Sequence, residues 1–152
     1  MQLTERLELF KIKFESEESR KRWRVFYKED FDDEKVEGNT VYFVLTGEKN
    51  QNKQKSVDFS IFYTKSSSRN MLLEFRDEVM DFIKYLQSNL ETSNFRNIDN
   101  SYNVEYSTII DRAGIRVAEI KCSFDNTKEV LDVLGEEEYE LMEKLQDRYI
   151  ID

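Results

Sequence analysis

Two acids and a lysine in the C-terminal third have the makings of a metal-dependent hydrolytic site. Asp111 precedes Glu119-Ile120-Lys121. Carboxylates of this kind can hold Mg²⁺, and a neighbouring lysine can assist an attacking water. The rest of the sequence leaves little other chemistry open. The 152 residues contain no His and a single Cys, Cys122. Ser-His-Asp and Cys-His nucleophiles are therefore excluded. So are His-ligated haem and the imidazole and thiolate sets of zinc. The four Gly residues, at 38, 47, 114 and 135, are too scattered to build a phosphate-cradling loop.

An acid followed by Glu-x-Lys on an adjacent strand resembles the site of restriction-endonuclease-like nucleases, in which carboxylates hold Mg²⁺. The register predicted for residues 102–124 opposes that implication. A three-residue loop Arg112-Ala113-Gly114, with Gly at its left-handed position, sets Asp111 opposite Ile115. Walking outward pairs Thr108 with Ala118, Tyr106 with Ile120, Val104 with Cys122 and Tyr102 with Phe124. Glu119 then lies about 13 Å along the strand from Asp111, too far for one shared metal. Lys121 falls opposite Glu105, which gives it a structural partner. We expect no divalent metal at Asp111, Glu119 or Lys121, and no cofactor.

Three further patterns carry charge. Arg20-Lys21-Arg22-Trp23-Arg24-Val25-Phe26-Tyr27-Lys28 interleaves cations with aromatics, as single-strand nucleic-acid grooves do. The stretch Glu29–Glu37 follows at once with six acids and one Lys, which would repel phosphates. We therefore expect a strand with Trp23 and Val25 inward, and no direct nucleic-acid binding. Within the acidic stretch, Asp30-Phe31-Asp32-Asp33-Glu34 fails as a calcium loop, because Lys35 and Val41 occupy the positions that need Gly and Glu. It reads as a solvated loop. Residues 125–152 hold ten acids and three bases, most of the net charge of −9. Glu136, Glu137, Glu140 and Glu143 fall on the outer side of a predicted last helix whose Tyr139, Met142, Leu145 and Tyr149 face inward. An array of carboxylates can meet a basic groove much as a phosphate backbone does.

Alternation and helical periodicity supply the elements that must position these groups. Residues 7–27 alternate in two stretches. A hairpin pairing Phe14 with Trp23, Ile12 with Val25 and Phe10 with Tyr27 follows, turning at Glu18-Ser19. A helix with Leu3, Leu7, Phe10 and Phe14 on one stripe competes with it, and leaves Leu9 and Ile12 outside. Residues 40–46 and 56–64 form a second hairpin. Val41, Phe43 and Leu45 share a face with Val57, Phe59, Ile61 and Tyr63, and Gly47–Lys55 is its polar tip. Residues 70–90 form a helix through Leu72, Phe75, Val79, Phe82, Leu86 and Leu90, capped by Ser68 or Asn70. Glu91–Ser101 is a loop. After the third hairpin, Asp125 or Asn126 caps a short helix containing Val130, Leu131 and Leu134, which Gly135 ends.

The expected fold is thus a single α+β domain. An antiparallel sheet of about six strands, in three hairpins, is covered on one face by the long helix after strand four and the C-terminal helices. With the N-terminus helical instead, the order becomes α-β-β-β-α-β-β-α. That order, with a pI near 4.8, is similar in topology to the small dimeric secretion chaperones.

Hydrophobic residues make up 39% and charged residues 36% of the chain, with no Pro. The longest apolar runs, such as Val41–Leu45, fall far short of the roughly 20 residues that span a bilayer. No cationic stretch leads into an apolar run at the N-terminus, so no secretory signal is visible. We expect a cytoplasmic protein with Cys122 buried as a small hydrophobe. The Lys-, Asn-, Phe- and Ile-rich, Ala-poor usage points to an AT-rich gene, such as that of a phage or mobile element. The functional expectation is a non-enzymatic acidic binding module, an inhibitor that blocks a basic nucleic-acid-processing protein. Its alternatives are a dimeric chaperone or adaptor for an apolar peptide and a carboxylate–Mg²⁺ enzyme.

Overall fold

A computed structural model describes residues 3–17, 20, 22–51, 54–66, 72–109 and 114–127. The N-terminal segment is helical. In α1 (Leu3–Ser16), Phe10 and Phe14 are buried and Leu3 and Leu7 pack beside them. Leu9 and Ile12 stay 54% and 59% exposed, the two residues that a helical stripe leaves outside. The expected first hairpin is therefore corrected. Its side-chain neighbours are nonetheless close. Phe14 meets Trp23 edge-on at 6.1 Å, brought there by a run of tight turns through Glu17, Arg20 and Trp23 rather than by strand pairing.

Among the described residues the sheet has five strands: β1 (Arg24–Lys28), β2 (Thr40–Gln51), β3 (Gln54–Ser66), β4 (Asn103–Ile109) and β5 (Ile115–Asp125). Their spatial order is β1-β2-β3-β5-β4. The sheet is mixed, not antiparallel throughout, because β1 runs parallel to β2. A parallel neighbour needs a crossover in place of a tight turn. Residues 29–39 provide it. The helix α2 (Leu72–Asn89) follows the third strand, since only one of the two expected N-terminal strands exists.

Two expected details shift. The β2–β3 ladder continues past the supposed tip to Gln51↔Gln54, with a bulge between Leu45 and Gly47. The end of β3 is held from outside, where the Asn126 amide donates to the Lys55 carbonyl and the Lys55 amide to Thr127 Oγ1. The β4–β5 ladder pairs Tyr106 with Ala118 and Val104 with Ile120, two residues from the expected register. Gly114 is left-handed as expected, with φ 72°, and the last described pair of the ladder is Ile109↔Ile115. Side chains alternate along a strand, so a slip of two keeps every residue on its face. Ile120 and Cys122 are buried, and Val104 and Tyr106 pack against the same core.

That core lies between one face of the sheet and both helices. It gathers Phe10, Phe14, Phe43, Phe59, Tyr63, Phe75, Phe82 and Phe124, among others. Burying one such ring stabilises the fold by about 1.5–3 kcal/mol. Every member of the predicted α2 stripe is buried except Leu72, which is 48% exposed. At the far end of β5, Asp125 Oδ1 accepts the Thr127 amide. The helices expected beyond it, with Glu136, Glu137, Glu140 and Glu143, lie outside the described residues. No described helix is long and apolar enough to cross a membrane.

Candidate functional site: an acidic groove on the open face

The second face of the sheet carries no helix among the described residues. Rows across it follow from the register. Tyr42, Phe62, Glu119 and Glu105 form one row, and Val44, Ser60, Lys121 and Asn103 the next. The crossover 29–39 lies over β2 and reaches β3. Phe31 stacks on Phe62 with ring centroids 4.0 Å apart and planes within 2°, and Val36 is buried. These two apolar anchors turn a chain that reads as solvated into a wall. Asp30, Asp32, Asp33 and Glu34 stay exposed, as a solvated loop requires, while Phe31 and Val36 dock the run on the sheet.

Its return is clasped at Gly38. A side chain there would meet Ser66 Cβ at 2.2 Å, so only Gly fits. Thr64 Oγ1 donates within reach of the Glu37 and Thr40 carbonyls, at 2.7 and 2.9 Å. Asn39, with φ 53°, accepts the Ser66 amide through Oδ1.

Between this wall and β4–β5 runs a groove of about 700 Å³. Among the described residues its lining includes Glu29, Asp30, Asp33, Glu105 and Glu119, and no Lys or Arg. Apolar Phe31, Val44, Leu45 and Phe62 form its floor and rim. Glu105 and Glu119 stand directly opposite each other on neighbouring strands. Like charges so placed repel. Lys121 relieves this in part through a 3.5 Å ion pair with Glu105, and the Ser60 hydroxyl donates to Glu119 at 3.0 Å. The expected pairing of Glu105 with Lys121 is therefore diagonal rather than directly opposed. Asp111, the third member of the nuclease-like set, lies outside the described residues.

Among the described residues, no three carboxylate or thiol groups lie close enough to hold a metal ion. Cys122 points into the helix-covered core, 7% exposed. Burial pushes its thiol far above the ordinary range, with Glu91 and Asp58 adding to the rise. The thiolate is the reactive form. Iodoacetamide at pH 8 should therefore leave Cys122 unmodified in the folded protein and alkylate it fully in guanidinium, as read by intact mass. Rapid labelling of the folded chain would show that the thiol is accessible.

Part of the basic–aromatic run is taken up by packing, while Arg22, Arg24 and Lys28 stay exposed. Trp23 and Val25 point inward, as expected, at 7% and 0% exposure. Arg20 lies over the rings of Phe14, Trp23 and Tyr63 at 5.1, 4.9 and 5.8 Å. It also donates to the Tyr63 hydroxyl at 2.8 Å. Burial raises the Tyr63 phenol to about 12, with the Arg20 charge opposing the rise. Glu15 accepts the Val25 amide at 2.9 Å, and the Tyr27 hydroxyl donates to the Leu7 carbonyl. These contacts fasten α1 and the turn after it to β1 and β3.

No protein-family model matches the chain, and a search of curated proteins finds no significant match.

Proposed function

We propose that this protein is a non-enzymatic binding module that docks a basic surface of another protein in its acidic groove. In the sharper form of the reading it is an inhibitor, encoded by a phage or mobile element, that occupies the nucleic-acid-binding groove of a basic partner. One observation carries this. Segments far apart in sequence, the crossover, β4 and β5, deliver five carboxylates to the two sides of one groove, lined by no Lys or Arg among the described residues. Such a surface favours basic partners and speeds their encounter. Glu136, Glu137, Glu140 and Glu143 belong to the proposal as additional acidic surface on the strength of charge alone.

A partner captured from host lysate, then purified, provides the test. Changing Glu29→Gln, Asp30→Asn, Asp33→Asn and Glu119→Gln together should weaken its binding by about tenfold or more at low salt, mainly through a slower on-rate. The difference should shrink at high salt, where exposed charges are screened. Equal affinity of variant and parent at both salt concentrations would end the reading. A second reading, a dimeric chaperone for an apolar peptide, draws support from the order α1-β1-β2-β3-α2-β4-β5. It predicts binding that hardly changes with salt.

A further inference from the structure

We infer that the outer edge of β4 accepts an extended basic segment of a partner protein as a sixth strand, with every second side chain of that segment, Lys or Arg, laid over the acidic face. The inference rests on the acidic-binding reading and adds the conformation and sequence pattern of what is bound.

The two edges of the sheet differ. Exposed edge strands are normally blunted by shortness, Lys, Pro or a bulge, because their unpaired amides and carbonyls recruit other strands. β1 is blunted: it has five residues and carries Arg24 and Lys28 at its ends. β4 is not. It has seven residues, Asn-Val-Glu-Tyr-Ser-Thr-Ile, with no Lys, Arg or Pro. Its ladder to β5 runs without a bulge from Asn103↔Lys121 to Ile109↔Ile115. Among the described residues β5 is its only strand neighbour. An added strand lies about 4.8 Å away, its side chains in step with those of β4.

The faces of β4 then dictate the pattern of the occupant. Asn103, Glu105 and Ser107 point to the open face, with Glu119 one strand further in. Val104 and Tyr106 point to the helix-covered face, half-buried against the core. The complementary segment alternates basic with apolar residues over the length of β4. Its cations complete the charge balance of the opposed Glu105 and Glu119, which Lys121 only begins. A second copy fits less well. Antiparallel pairing of two β4 edges would bring Glu105 of each copy to the same face, acid near acid. Nucleic acid would bring phosphates to carboxylates.

The test uses the full chain and three synthetic peptides as long as β4. One alternates Lys and Val, one has the same composition in two blocks, and one is the alternating peptide with alternate amides N-methylated. Titration by calorimetry and amide NMR at low salt should show the alternating peptide binding at least tenfold more tightly than either control. Shifts should concentrate in β4 and β5. Glu105→Gln with Glu119→Gln should reduce that affinity several-fold while leaving the NMR spectrum folded. Equal binding of all three peptides would overturn strand addition and leave the acidic surface standing. Binding of none would overturn both. Sedimentation showing a dimer closed through β4, or binding of a single-stranded oligonucleotide instead, would also overturn the inference.

Discussion

Truncating Phe14 to alanine should destabilise the protein by roughly 3–5 kcal/mol, whereas Ile12→Ala should stay within about 0.5 kcal/mol of the parent. Phe14 is fully buried and touches Phe10, Trp23, Phe82 and Tyr85, with ring centroids 5.6–6.1 Å away. Arg20 covers the same ring at 5.1 Å. Removing the ring leaves a cavity walled by rigid aromatics that collapse poorly, and it strips a cation of one of its three faces. Ile12 sits two residues away with 59% of its surface exposed. Urea unfolding of both variants checks this. A hairpin would place both residues on one strand face and give them comparable costs, so equal losses would refute the helix.

The same two residues show why the N-terminus misleads a reader of sequence. Phe10, Ile12 and Phe14 satisfy a period of two, while Leu3, Leu7, Phe10 and Phe14 satisfy a helical stripe. Local pattern cannot choose between them when Phe10 and Phe14 serve both. The exposed Leu9 and Ile12 are the decisive residues, and their exposure is a tertiary fact. By contrast, α2 was legible because six apolar positions over five turns admit only one period. The faces of β3, β4 and β5 were legible because alternation survives a slip of two residues; the register was not, because it depended on loop length. The parallel pairing of β1 left no local mark at all, since a crossover has no turn signature comparable to that of a hairpin.

The groove was hidden for a related reason. Glu105, Glu119 and Lys121 could be placed on one face by counting. The other wall could not, because charge dominates the run Glu29–Glu37 and masks its anchors. The available signal was Phe31 and Val36, two apolar residues spaced within an otherwise acidic stretch. Phe31 stacks on Phe62 and Val36 is 1% exposed. A solvated loop has no use for either. The acidic stretch and the strand carboxylates are thus one surface, assembled by residues that carry no charge.

That assembly predicts a large effect from a residue that has no side chain of its own. Gly38→Ala should destabilise the fold by about 1–3 kcal/mol and also weaken binding of basic peptides to the groove. The added methyl would lie 2.2 Å from Ser66 Cβ and 2.8 Å from both Ser66 Cα and N, so backbone must move. The strand β3 is held on both sides, which leaves the crossover as the part that yields. Its shift would stretch the clasp of Thr64 Oγ1 on the Glu37 and Thr40 carbonyls. It would also displace the wall that presents Glu29, Asp30 and Asp33. Ser66→Gly alone removes the nearest contact at little cost, so in the double variant the methyl meets only backbone atoms and part of the loss should return. The pair should therefore couple in a double-mutant cycle. Urea melts and peptide titration of the four proteins measure both quantities. Stability lost without any change in peptide affinity would detach the crossover from the groove. Full stability in Gly38→Ala would show that the clasp does not hold the wall.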